Sequence, residues 1–194
     1  MAIPVQSFER LYSILPPRPA SAARVEALCV RAGPDLREER ASLELHPERG
    51  AIGDRWERKT WLYLPDGRPD PRVQVAVCNS SVLSLIQKAT GVKHHPGDTL
   101  FTDLDLSVEN LPIGARLQVG AAILEVSDVE NDACAKFAAH YGAEVLAWIR
   151  LPKNRPLRLR GLFARVIIGG TVSLGDPVTK LGSKTVPVEQ RATC

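Results

Sequence analysis

The chain has 194 residues, 44 % of them hydrophobic, with a formal charge of +3 spread over interleaved Arg, Lys, Asp and Glu. That is enough apolar material for one domain to close a core without disulfides or a structural metal. The mixed signs exclude a basic nucleic-acid footprint and a charged membrane-binding face, and no run of about 18 apolar residues forms a membrane span.

The first twenty residues read as an N-terminal arm, with Phe8, Leu11 and Tyr12 in a short apolar segment that ends at Pro16-Pro17. A domain over 21–180 follows, and 181–194 read as a C-terminal tail. Within the domain, Ala23–Arg31 is apolar enough for a largely buried first strand ending at Gly33-Pro34, and Ser42–Leu45 reads as a second. The loop His46–Thr60 comes next. Val73–Cys78 alternates as a strand, and Asn79-Ser80-Ser81 then caps a helix over Val82–Thr90 whose exit is Gly91. Leu104, Leu106 and Val108 recur with period two and predict another strand. Leu117–Val126 folds as a hairpin about Gly120, and the stretch after Asp132 is helical until it breaks near Gly142. A second tight hairpin is expected at Gly169-Gly170, where glycine tolerates the positive φ of a two-residue turn. Many short strands joined by Gly-centred turns predict a mainly β protein: a closed or nearly closed β-barrel with two or three flanking helices.

Four cysteines, Cys29, Cys78, Cys134 and Cys194, lie far apart with no Cys-x-x-Cys pair, so neither a disulfide scaffold nor a zinc ribbon is indicated, and a reducing, cytoplasmic setting is the expectation. Cys134 follows a helix-start signal at Asp132, where backbone N–H groups favour a thiolate, with Lys136 close in sequence. The competing reading is a small core residue, since free cysteine is among the most buried types. Cys29 and Cys78 fall in predicted buried strands. The loop His46-Pro-Glu-Arg49-Gly50-Ala-Ile-Gly53-Asp54-Arg55 places two glycines three apart beside cationic donors suited to phosphate or a pterin edge. It reads equally as an ordinary connection in which Asp54 caps local backbone and Arg55 is solvated. His94-His95, before Pro96-Gly97, are expected to be exposed and uncommitted, and His140, six residues beyond Cys134, points to a different helix face from it. The densest run of cations, Lys153, Arg155, Arg158 and Arg160, lies in a Pro-broken segment without interleaved aromatics, which argues against nucleic acid. Trp56, Trp61 and Tyr63 share one polar loop and are expected as a pocket lid or a homodimer contact.

In order, the segments RGAIGDR (49–55), VQVAVCNSSVL (73–83), PGDTL (96–100), LPIGARLQVGAAILEVSDVENDACAKF (111–137) and RGLFARVIIGGTVSLGDPV (160–178) resemble the MOSC domain, the C-terminal domain of molybdenum cofactor sulfurases. The resemblance implies a β-barrel of the pyruvate-kinase barrel type that binds the molybdenum cofactor (molybdopterin). Cys134 would be the reactive cysteine, ligating molybdenum or carrying sulfur. It further implies cofactor-binding roles for His46, Arg49, Gly53, Asp54, Arg55, Arg72, Asn79, Thr102, Asp103, Lys136 and Arg160. The implied activity is reduction of N-hydroxylated compounds with electrons from an external donor. The alternatives are a sulfur carrier served by a cysteine desulfurase and a barrel that acts only as a binding module. In cofactor sulfurases a pyridoxal-phosphate domain precedes this one, and 194 residues are too few to hold both. The chain departs from the family pattern after PGD, where Asp103 and Asp105 stand in place of cations, and before Cys134, where Asn131-Asp132-Ala133 replaces Arg-x-Pro.

Overall fold

A computed structural model describes residues 3–182. Eleven strands run in chain order: β1 (Ala22–Gly33), β2 (Leu36–Glu39), β3 (Ser42–His46), β4 (Gly50–Ala51), β5 (Val75–Asn79), β6 (Leu100–Thr102), β7 (Arg116–Val119), β8 (Ala122–Val126), β9 (Leu162–Ile168), β10 (Gly170–Ser173) and β11 (Pro177–Lys180). Four helices join them: α1 (Val5–Ser13), α2 (Ser80–Thr90), α3 (Ala135–Tyr141) and α4 (Ala143–Ile149).

Seven strands close on themselves in the order β11, β7, β8, β9, β5, β6, β1, because β1 pairs with β6 through Val25–Leu28 and with β11 through Ala22–Arg24. Closure leaves this sheet without a free edge, the usual solution for short strands. The far half of β1 extends past the barrel and pairs with β2, while β10, β3 and β4 form a separate three-stranded sheet. Alternate residues fill the interior: Val25, Leu28, Val77, Leu100, Leu117, Leu124, Val166 and Val178 are all buried in one core. A second core lies outside the wall, where α1, α2, α3 and α4 bury Phe8, Val82, Ile86, Phe137, Tyr141 and Trp148.

The helix starts follow local chemistry. Asn79 Oδ1 accepts from the Val82 N–H, and Gly91 ends α2 at φ +72. Gly120 turns the β7–β8 hairpin at φ +53. The segment around Phe8 is a docked helix, its Phe8 ring stacked on Trp148 at 5.5 Å.

Three expectations fail for physical reasons. Residues 103–110 form no strand; Leu104 and Leu106 are buried, but Asp105 caps Ser107 and Asn110 Nδ2 donates to the Ala20 and Asp105 carbonyls, which bends the chain out of a ladder. Gly169-Gly170 make no hairpin, since β9 and β10 belong to different sheets and neither glycine has positive φ. Their lack of a side chain serves close approach: a Cβ would stand 2.7 Å from the Leu45 carbonyl at Gly169 and 2.8 Å from Ala121 Cβ at Gly170. Trp56, 3 % exposed, is a core residue, so only Trp61 and Tyr63 of that loop remain exposed.

Candidate functional site

Beyond β8 the chain forms a loop whose alternate carboxylates are each held by an arginine from another part of the fold. Asp128 pairs with Arg72 at 3.3 Å, Glu130 with Arg155 at 3.3 Å, and Asp132 with Arg150 at 3.2 Å. Arg150 also donates to the Asp132 and Ala133 carbonyls at 3.1 and 3.0 Å. Ala133 sits at φ +66, a conformation that costs a non-glycine residue about 1 kcal/mol or more. The next residue is Cys134, at the N-cap of α3 with its carbonyl accepting from the Ala138 N–H. Asp132, the expected cap, is thus two residues early. Of the described cysteines Cys134 alone is exposed. Burial pushes the Cys29 thiol up to about 11 and raises Cys78 further, which leaves both as inert neutral thiols.

Beneath this loop runs Leu159-Arg160-Gly161. Gly161 has φ +97, and a Cβ there would lie 2.0 Å from the Val77 carbonyl, so the backbone crosses directly over β5. That crossing lays Arg160 along the outer wall of the barrel, 11 % exposed. There it donates to both carboxylate oxygens of Asp98, at 2.7 and 2.8 Å, and lies 5.0 Å from the centroid of the Phe137 ring. Burial opposes its charge, but the Asp98 carboxylate holds its pKa above the usual guanidinium value. Its Nε is buried without an acceptor among the described residues. Two shallow clefts meet at Leu159-Arg160. One is bounded by Cys78, Pro96 and Phe137, the other by Glu130–Asp132, Asn154, Arg155 and Arg158.

The structure therefore brings Cys134 and Arg160 into one region, with Lys136 exposed on the same helix and Arg72 tied through Asp128 to the loop that leads to Cys134. It does not bring the 46–55 loop there. That loop packs against Gln74, whose side-chain amide donates to the Pro47 carbonyl, and against Arg31, which clamps Asp54 with three hydrogen bonds of 2.7–2.9 Å. Asp54 also caps Trp56, Arg49 is paired with Glu57, and Arg55 is half-buried rather than solvated. His46 accepts from the Glu48 N–H, and Gly53 is an exposed turn at φ +90. Arg72 is fastened to Asp70 by bonds of 2.6–3.1 Å, which lowers the Asp70 pKa. Asn79 and Thr102 are buried in the framework, at 2 % and 0 % exposure, with Asn79 Nδ2 donating to the Leu104 carbonyl. Asp103 accepts from the Ser81 hydroxyl and Asp105 from Ser107, and neither carboxylate borders the two clefts, so the acidic departure from the family pattern does not crowd Arg160.

Several residues here escape sequence reasoning. Asp98 is buried at 1 % exposure and stands 62 positions from Arg160; the PGD turn is its only sequence signal. His94 and His95 are neither exposed nor uncommitted. The His94 ring stacks on His140 at 3.5 Å, and its backbone carbonyl accepts from the Tyr141 hydroxyl. His95 Nδ1 accepts from the Gly97 N–H at 3.0 Å. Burial, then the neighbouring His140 and Arg37, lowers the His94 pKa, and burial lowers that of His95.

The side chains present suit a soft metal and an anionic group together: an exposed sulfur at Cys134 and a guanidinium Nε at Arg160 without an acceptor among the described residues. Among the described residues no three His, Cys, Asp or Glu side chains group as a metal site. No described helix is long and apolar enough to cross a membrane.

Comparison with known proteins agrees with this architecture. No curated protein matches the chain by sequence. Among solved structures, the YuaD protein from Bacillus subtilis is similar at 21 % identity and a TM-score of 0.55, over 81 % of this chain and 94 % of that one. YiiM from Escherichia coli is similar at 18 % identity and a TM-score of 0.55, over 84 % and 72 %. YiiM from Geobacillus stearothermophilus is similar at 14 % and 0.54, over 85 % and 75 %. The MOSC domain family model matches residues 76–179, more than half of the sequence, running from within β5 through α4 and the Arg160 crossing. With the closed seven-stranded barrel and an exposed cysteine at the start of α3, that match places the chain in the MOSC domain family.

Proposed function

We propose that this protein binds the molybdenum cofactor through Cys134 and reduces N-hydroxylated compounds. The observation that carries the reading is the pairing of one exposed thiol with one buried guanidinium whose Nε has no acceptor among the described residues. When bound, the cofactor supplies two-electron redox chemistry at molybdenum, while the protein supplies binding and charge. Cys134 offers the soft sulfur ligand. Arg160, fixed by Asp98 and Phe137, gives the anionic pterin group a preorganised cation, and Lys136 and Arg72 add positive charge on either side. An external donor supplies the electrons. Within 46–55, Asp54 is held by Arg31 and Arg49 by Glu57, while Arg55 Nε, like Arg160 Nε, is buried without an acceptor among the described residues.

In a reconstituted assay, Cys134→Ala is expected to abolish reduction of an N-hydroxylated base. Its unfolding free energy should stay within about 0.5 kcal/mol of wild type, as for other exposed positions. Retained turnover would contradict the reading. The second reading is a sulfur carrier, favoured by the exposure of the Cys134 sulfur at a helix start. It expects a persulfide on Cys134 after incubation with a cysteine desulfurase and cysteine, and no turnover in the reduction assay.

A further inference from the structure

Three arginines hold the loop between β8 and α3, and among the described residues Arg150 alone of the three bonds its backbone. Arg72 and Arg155 reach the side chains of Asp128 and Glu130, whereas one edge of the Arg150 guanidinium spans two consecutive carbonyls, Nε donating to Asp132 at 3.1 Å and Nη2 to Ala133 at 3.0 Å. An extended residue points the carbonyls on either side of it in opposite directions. Both face one guanidinium here because the chain bends at Ala133, which is left-handed at φ +66 without being glycine. Residue 133 thus holds a conformation that its own side chain disfavours, and the two bonds to Arg150 are what that conformation makes. The carboxylate pair of Arg150 with Asp132 is 42 % exposed on both sides, and such surface pairs contribute little; the backbone fork is the specific part.

The fork is firmly mounted. Arg150 caps the C-terminus of α4, its N–H bonded to the Leu146 carbonyl at 3.1 Å, directly after Trp148 and Ile149, which are buried in the helical core. Trp148 stacks on Phe8, and its carbonyl accepts from Asn154 Nδ2 at 2.8 Å. The guanidinium therefore carries the rigidity of that core 17 and 18 positions back along the chain, to the residues that precede Cys134. Cys134 has no side-chain cap bond of its own, and its carbonyl accepts the Ala138 N–H, so residue 133 sets the direction in which it enters α3.

We propose that Arg150 is a positioning residue for the Cys134 sulfur: by forking the Asp132 and Ala133 carbonyls it holds Ala133 left-handed and thereby fixes where α3 begins and where the thiol stands. That the positioned sulfur takes up molybdenum rests on the reading above; the clamp is a property of the loop and the α3–α4 pair.

Two readouts that involve no molybdenum test it, so failure of the clamp and failure of the cofactor reading are told apart. In a Cys194→Ser chain, where Cys29 and Cys78 are buried, a methanethiosulfonate nitroxide attaches at Cys134. Its electron paramagnetic resonance spectrum should be dominated by a slow component in the parent and by a fast one in Arg150→Gln, while Asp132→Asn, which keeps both carbonyl bonds, should match the parent. The second readout is thermal unfolding of the unlabelled chain as a double-mutant cycle. With Arg150 present, Ala133→Gly relieves the left-handed strain and should raise Tm by about 1–3 °C. With Arg150→Gln, residue 133 is free to leave that conformation, and the same substitution should give no rise. A general loss of packing at the end of α4 would lower every Tm without this coupling. Arg150→Lys, which keeps the stem and the charge but not the planar fork, should show the same two changes and serves if Arg150→Gln does not fold. An equal Tm change from Ala133→Gly in both backgrounds, an unchanged nitroxide spectrum in the Arg150 variant, or a fast spectrum in Asp132→Asn would each overturn the proposal.

Discussion

Replacing Asp98 by Asn removes one charge and keeps both shape and one acceptor oxygen, which isolates the electrostatic part of the Arg160 anchor. Asp98 is 1 % exposed and Arg160 11 %, and the contacts of 2.7 and 2.8 Å are those of a charge-assisted bond. Removing one member of a buried ion pair costs about 3–5 kcal/mol, because the survivor is left charged in a poor dielectric. Arg160 keeps the Phe137 face and borders two clefts that admit water, which points to the lower end, about 3 kcal/mol. At a urea m-value of about 2–3 kcal/mol/M the midpoint falls by about 1–1.5 M. Replacing both partners, Asp98→Leu with Arg160→Met, removes the stranded charge and should recover most of the loss. Urea unfolding followed by far-UV circular dichroism reads wild type, Asp98→Asn, Asp98→Leu, Arg160→Met and the double variant. A loss below about 0.5 kcal/mol in Asp98→Asn, or a double variant whose deficit equals the sum of the two single replacements, would refute the claim that this pair fixes Arg160.

Gly161→Ala should prevent folding or cost more than about 3 kcal/mol, since its Cβ meets the Val77 carbonyl at 2.0 Å, whereas Gly53→Ala, in open space at φ +90, should cost only about 1–2 kcal/mol of backbone strain; the difference between their urea midpoints checks this. Peptide-level mass spectrometry of iodoacetamide-treated native protein at pH 8 should find Cys134 modified while Cys29 and Cys78 stay unmodified until the chain is unfolded. Phe8→Ala should cost about 3–4 kcal/mol, because it opens the stack on Trp148 beneath α1, and thermal unfolding reads the loss. Asp70, whose pKa Arg72 holds below the ordinary carboxylate value, contributes stability that is complete above the unfolded pKa and declines as pH falls from about 5 through the folded pKa; Asp70→Asn should flatten that acid limb of the stability profile.

Local signals carried well from sequence to structure. Asn79 and Gly91 bound α2, Gly120 turns the β7–β8 hairpin, and Cys134 begins a helix, because each depends only on near neighbours. Strand β2 was invisible, since Leu36-Arg-Glu-Glu39 has no apolar alternation and exists as the edge partner of β1 beyond the barrel. Leu104 and Leu106 alternate because a bent segment tucks both inward, a pattern that periodicity cannot tell from a ladder. The glycine pair at 169–170 resembled a turn while serving tight packing. For the site, the exposure of the thiol fits its placement at a helix start, but its surroundings were not legible: the Asp98–Arg160 pair spans 62 positions, and Arg49 and Asp54 of the 46–55 loop are paired with Glu57 and Arg31. The expected tail over 181–194 lies almost wholly outside the described residues, as does Cys194.

Molybdenum content after reconstitution with the cofactor tests the central claim most directly, by inductively coupled plasma mass spectrometry on gel-filtered wild type and Cys134→Ala. Close to one molybdenum per chain in wild type and almost none in the variant is the expected result. Equal molybdenum in the two proteins, or none in either, would contradict ligation by Cys134.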